Sequence, residues 1–185
     1  MDCYIAKDGM MQNKQRGFTL TEMVIAMTIT GVLSVVAVPQ LMDFESEAQA
    51  TTVLSTAGSF QTAVILAKTA NMAFGSGMNG NDVRVWGKNG EPEGLIDFNG
   101  YGYPTKNDPG NNGTEITTSE HCAGLWHSLL ESNQIVTTNN GDMADYVASF
   151  ESPGCRYKYT KREGHSFFYN PTNGKVTPTI VEQES

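Results

Sequence analysis

Between Arg16 and Asp43 the chain carries one ionisable side chain, Glu22, in an otherwise apolar stretch. Phe18 to Val38 (FTLTEMVIAMTITGVLSVVAV) is 21 residues long. As a helix rising about 1.5 Å per residue it spans roughly 31 Å, the thickness of a bilayer's hydrocarbon core. Lys14 and Arg16 form a positive flank that holds the upstream end in the cytoplasm while the remainder crosses. The whole 185-residue chain has a different balance, with a mean hydropathy of -0.32 that excludes a polytopic membrane protein. A hydrophobic share of 39% beside 17% charged residues is too apolar for a disordered chain. Twelve Lys and Arg against 20 Asp and Glu give a net charge of -8, which argues against direct nucleic-acid binding, because that affinity comes from cations on phosphates.

Glu22 decides between three readings of the apolar run. A secretory signal peptide would be cut near Val35-Val36-Ala37, but a carboxylate inside its apolar region and a leader of this length oppose that. A plain signal anchor has no use for a glutamate, since a carboxylate at membrane depth costs about 2.5 to 3.5 kcal/mol. The third reading places the partner outside the span: a positive α-amino group, made by proteolysis just before Phe18, on a neighbouring subunit.

Lys14-Gln15-Arg16-Gly17-Phe18-Thr19-Leu20-Thr21-Glu22-Met23-Val24-Ile25 resembles the type IV prepilin signature of basic leader, glycine, phenylalanine and a glutamate four positions beyond. The resemblance covers about Lys14 to Pro39. It implies that a membrane prepilin peptidase cuts between Gly17 and Phe18 and N-methylates Phe18, and that Glu22 pairs with the Phe18 amine of the adjacent subunit during assembly. Glycine suits the cut because its backbone fits closely in a protease site. Pro39 stands where many members of the family have a helix-bending proline, so a kink is expected there. The 17-residue leader is longer than the family's usual one, and a start at Met10 or Met11 would leave a short basic leader. In either case Cys3 lies upstream of the cut, and the mature chain carries Cys122 and Cys155. A bond between these two would enclose a 33-residue loop contributing roughly 3.5 to 4 kcal/mol, in an oxidising compartment, and resembles the disulfide-bounded region of type IV pilins.

The expected organisation is a leader at 1–17, a transmembrane or filament-core helix at 18–39, an amphipathic helix half at 40–74, a glycine-rich αβ loop at 75–118, and a C-terminal region at 119–185. In the second helix half Val53, Ala57, Phe60 and Val64 recur at helical spacing. Ten of the 19 glycines lie between Gly75 and Gly113, which predicts turns and loop, with short strands at Val83 to Trp86 and Leu95 to Phe98. Thr118 or Ser119 caps a short helix ending near Ser132. Ala144 to Phe150, Arg156 to Thr160, Ser166 to Asn170 and Lys175 to Ile180 read as strands joined by hairpins. The fold class is α+β: a long helix packed on a four-stranded antiparallel sheet.

The chemistry-bearing residues of the head do not assemble into a site by spacing. His121, Cys122 and His127 share a helix, but the histidines are six apart and diverge, so no zinc is expected. Asp82, Glu91, Glu93, Asp97 and Asp108 lack a calcium-loop pattern and read as solvated loop acids, so no metal or cofactor is implied. Tyr101-Gly102-Tyr103-Pro104 reads as a loop packed on the sheet rather than a sugar-stacking face. From Phe18 to Cys155 there are 15 acids and 4 bases, and from Arg156 onward 3 acids and 5 bases, so an acidic flank of one head is expected to meet a basic edge of the next.

No nucleophile and base, phosphate loop or metal cluster has workable spacing, so a structural role rather than an enzyme is expected. The resemblance implies a homo-oligomeric filament with other pilins, served by the prepilin peptidase and an inner-membrane assembly platform. It places the chain in the inner membrane of a Gram-negative envelope before assembly and in an extracellular pilus afterwards. Asn99 to Thr105 and Cys122 to Leu130 are loosely similar to subunits of mannose-sensitive haemagglutinin-type pili. A pseudopilin of a type II secretion system and a non-polymerising single-span adhesin are the alternatives.

Overall fold

The computed structural model describes residues 17–74, 79–86, 94–108, 110, 113–139 and 143–181, without the side chains of 36–43. The chain divides into two compact units, Met1–Phe44 and Glu45–Ser185. Helix α1 runs Leu20–Phe74, 55 residues. Pro39 falls where side chains lie outside the described residues, as do Cys3, Lys14, Arg16, Glu91, Glu93 and the expected helix stop at Gly75.

In the second unit, Val53, Ala57, Phe60, Val64 and Ala67 of α1 are buried, at intervals of four and three that keep them on one helix face. Phe60 is fully buried, its ring 5.2 Å from that of Tyr157, 5.6 Å from those of Phe167 and Tyr169, and 6.2 Å from that of Trp126. Trp126 in turn lies 4.9 Å from Tyr146. Tilted ring pairs at these distances add to the burial of apolar area. The hydroxyls that come with this core are satisfied at two places: Tyr157 donates to Cys122 O at 2.8 Å and Tyr169 to Pro104 O at 2.7 Å.

The sheet that receives α1 has five strands rather than the expected four, in the order β4 (Val136–Thr137), β5 (Tyr146–Glu151), β6 (Gly154–Tyr159), β7 (Ser166–Asn170), β8 (Lys175–Thr179). The last four pair antiparallel, as their hairpin spacing implies. The additional strand, β4, runs parallel to β5. A two-residue strand has no alternation to read. Asp145 holds it: its Oδ2 accepts from Ile135 N at 3.0 Å, while Ile135 O accepts from the N–H groups of Asp145 and Tyr146 at 2.8 and 3.1 Å. A separate three-stranded antiparallel sheet forms in the glycine-rich region from β1 (Val83–Arg84), β2 (Leu95–Phe98) and β3 (Pro104–Lys106).

Helix α2 spans Ser119–Leu129, three residues short of the expected end, because Leu130 turns to an extended conformation. Thr118 is its N-cap, accepting from His121 N. Cys122 of α2 bonds Cys155 of β6, and both are buried. Since β6 is the middle strand, the bridge ties α2 to the centre of the sheet, not to an edge. In β6, Tyr157 and Tyr159 face inward while Arg156 and Lys158 face outward, as period-two alternation requires.

Gln61 of α1 fixes the far edge of the sheet, donating to Gly174 O at 2.9 Å and accepting from Val176 N at 2.8 Å. Val176 N therefore points away from β7, and Pro178, two residues on, has no donor to present on that same side. The edge is thereby blunted against adding a further strand. Gly174 is in the left-handed region (φ 70°), and a Cβ there would collide with the Tyr103 ring.

Phe60→Ala is expected to destabilise the folded head by about 3–5 kcal/mol, read as a lower urea midpoint with an unchanged slope. Asp145 gives a pH dependence. The Lys161 ammonium at 2.7 Å, and then the Ile135 N–H, hold its carboxyl below the ordinary aspartate range against the opposing effect of burial. A folded-state value below the unfolded one stabilises at neutral pH, and that contribution is lost as pH falls through the folded value. Asp145→Asn should melt lower than wild type at neutral pH, and the gap should narrow progressively as pH falls below about 4.

Candidate functional site

The N-terminal segment places the expected cleavage residues outside the helix. Gly17 and Phe18 precede α1, both are exposed, and Phe18 is 90% exposed. Helix α1 begins two residues later, at Leu20, for a local reason. Thr19-Leu20-Thr21-Glu22 forms a capping box: Glu22 N donates to Thr19 Oγ1 at 3.2 Å, and Glu22 Oε2 accepts from Thr19 N at 2.9 Å and Thr19 Oγ1 at 2.8 Å. The carboxylate thus satisfies a backbone N–H that the first turn leaves without a partner. Sequence reasoning assigned Glu22 only an intermolecular role. The T-x-x-E spacing was the available signal for the capping role, and Thr19 was the residue overlooked.

Leu20, Met23, Val24, Ile25, Met27, Ile29, Val32, Leu33 and Val35 are each more than half exposed. At 100° per residue these positions encircle the helix rather than forming one stripe, and a helix apolar all round requires lipid or other helices about it. Three of its hydroxyls are internally satisfied: Thr28, Thr30 and Ser34 donate to Ile25 O, Ala26 O and Thr30 O at 2.9, 2.8 and 2.7 Å. Such back-bonding lets hydroxyls lie in an apolar medium without an unpaired donor. The 44–74 part of α1 is also long and apolar enough to cross a membrane. There the burial of Val53, Phe60 and Val64 in the head accounts for the apolar content.

The head's candidate residues have structural employment. Cys122 is consumed in the disulfide, and His121 Nδ1 accepts from Thr117 N at 3.3 Å. His121 titrates below its ordinary value, through burial first and then the nearby Lys106 charge. Asn99 organises the tyrosine loop, its Oδ1 accepting from Tyr101 N and Tyr103 N, both at 3.0 Å, while its Nδ2 donates to Pro171 O at 2.7 Å. Tyr103 packs inward under Lys68, whose ammonium lies 3.6 Å from the ring centroid, whereas Tyr101 is 60% exposed. The expected basic edge is partly spent within the molecule, with Arg156 pairing with Glu151 and Lys161 with Asp145.

The chain thus opens on an exposed Gly–Phe junction and a glutamate-capped helix whose apolar residues face all round, and it carries an α+β head. In agreement, residues 12–38 match the prokaryotic N-terminal methylation motif. The chain is similar to the type IV major fimbrial protein FimA of Dichelobacter nodosus, with 37% identity over 29% of this chain and 35% of that one. A fimbrial protein of Pseudomonas aeruginosa is 39% identical over 26% of this chain and 32% of its own length. Type II secretion system core protein G of Pseudomonas aeruginosa is 30% identical over 45% of this chain and 59% of that one. The motif and these relatives support the resemblance to the type IV pilin family carried by Lys14 to Pro39. The chain spans about a third of the length of the fimbrial relatives it matches. No solved structure matches it.

Proposed function

We propose that this chain is a structural subunit of an extracellular type IV pilus, stored in the inner membrane by its first helix half and processed between Gly17 and Phe18. Prepilin peptidase cuts there and methylates Phe18, and the amine of Phe18 in one subunit pairs with Glu22 of the next at an inner-membrane assembly platform. The observation that carries this reading is an apolar helix exposed all round, opening on an exposed Gly17–Phe18 junction with Glu22 in its first turn. The buried Cys122–Cys155 bridge supports export of the head to an oxidising compartment. The filament serves adhesion, motility or a related surface function, and the protein acts by assembly rather than by catalysis.

A second reading, pseudopilin of a type II secretion system, is favoured by the match to core protein G, which extends over 84 residues against 54 for the fimbrial relative FimA. The disulfide inclines the balance toward pili.

N-terminal sequencing of chains from sheared surface filaments is expected to begin at methylated Phe18. A chain that starts upstream, or is absent from filaments while enzyme secretion fails without it, would overturn the pilus reading. Glu22 separates charge pairing from capping. Glu22→Gln keeps an acceptor for Thr19 N but removes the charge, and is expected to be processed normally yet to lose filament as fully as Glu22→Ala. Wild-type filament from the glutamine variant would sink the pairing role.

A further inference from the structure

The loop at Tyr101-Gly102-Tyr103-Pro104, expected to pack on the sheet, divides its two tyrosines: Tyr103 goes inward under Lys68, while Tyr101 stays 60% exposed. Tyr101 and Phe150, itself 37% exposed, line one cleft of about 520 Å³. Clefts of this size accommodate small ligands. A single exposed aromatic needs no explanation, but two on the wall of one cleft do when free polar groups accompany them.

The polar groups here are free. The Asn79 amide, the Thr114 and Ser152 hydroxyls and the Glu115 carboxylate line the cleft, and none makes a side-chain hydrogen bond among the described residues. The fold brings them from three segments: the approach to β1, the approach to α2, and the β5–β6 turn. These walls are fastened to their surroundings. Asn99 Oδ1 accepts from Tyr101 N at 3.0 Å and its Nδ2 donates to Pro171 O at 2.7 Å, joining the tyrosine loop to the β7–β8 turn. Asn79 N donates to Asn99 O at 3.1 Å, and Phe150 N donates to Ser119 Oγ at 3.1 Å. A site held in shape before its ligand arrives loses little freedom on binding.

The lining selects the ligand chemistry. No Lys or Arg is among the described residues of the cleft, so an anionic ligand finds no counter-charge and meets Glu115 as a like charge. An apolar ligand would leave the amide, the hydroxyls and the carboxylate unpaired. Sugar hydroxyls both donate and accept, as these groups require, and the partly positive C–H face of a pyranose suits the negative face of an aromatic ring.

We propose that this cleft binds a neutral carbohydrate through the terminal sugars of a glycan, with Tyr101 as the stacking platform and Asn79, Glu115 and Ser152 as partners for its hydroxyls. The proposal supplies a ligand for the surface function above and rests on the filament reading for its biological use.

The test uses the full chain in a zwitterionic detergent, because glycoside detergents carry sugar head groups. It is applied to an array of neutral and sialylated oligosaccharides, and the strongest neutral ligand is then titrated. Neutral glycans should be retained in preference to their sialylated counterparts. Tyr101→Ala should weaken binding by about tenfold or more at an unchanged melting temperature, while Tyr101→Phe keeps wild-type affinity. Lys158→Ala, on the outer face of the five-stranded sheet, should bind as wild type. Retention of no neutral glycan, preference for sialylated ones, or wild-type affinity in a folded Tyr101→Ala chain overturns the proposal. If Tyr101→Ala does not fold, Glu115→Ala, at an exposed position outside any helix or strand, reads the same site, and wild-type affinity there overturns it equally. Binding is read before assembly, so a missing glycan leaves the filament reading standing and missing filaments leave this one standing.

Discussion

Phe60 inserts one ring from the long helix into a group of four others, and the architecture of the head follows from satisfying that contact. Tyr157 and Tyr169 come from adjacent strands and Phe167 lies beside them on the inner face, so α1 must lie across β6 and β7. Trp126 reaches the same cluster from α2, and the disulfide one helical turn away holds that helix against the middle strand. Gln61, the neighbour of Phe60 in sequence, then fastens the edge strand through its backbone. One face of α1 thus sets the inner surface of the sheet, the seat of α2 and the position of the outermost strand.

The two parts of α1 meet opposite demands with the same backbone. In the second, an apolar stripe covers a sheet; in the first, apolar residues point in every direction and the hydroxyls of Thr28, Thr30 and Ser34 bond to their own helix. Glu22 joins these demands, because a carboxylate in an apolar helix needs a donor, and Thr19 supplies two. Capping makes the glutamate tolerable in a lone chain without neutralising its charge.

The segment that matches the N-terminal methylation motif was legible because its signals are local: a run of consecutive residues, a charge, a glycine. The hairpins from β5 to β8 were legible too, from period-two alternation between turn residues. The parallel strand β4 was not, because Val136 and Thr137 are too few to show a period and their partners, Tyr146 and Val147, lie ten residues on. The head's supposed basic edge illustrates the same limit, since its charges could be counted in the sequence while their partners, Glu151 and Asp145, could not be assigned.

By itself, the sequence determined the environment of each segment: which stretch must leave water, where it begins, and which helix face and strand faces turn inward. Hydrophobicity and periodicity act over a few residues and need no knowledge of the fold. Tertiary structure decided the pairings across the chain, among them the five-strand order, the disulfide to the central strand, and the burial of Asp97 against Lys106. Those contacts depend on which distant segments are brought within a few ångströms, and only the packing of helix on sheet settles that.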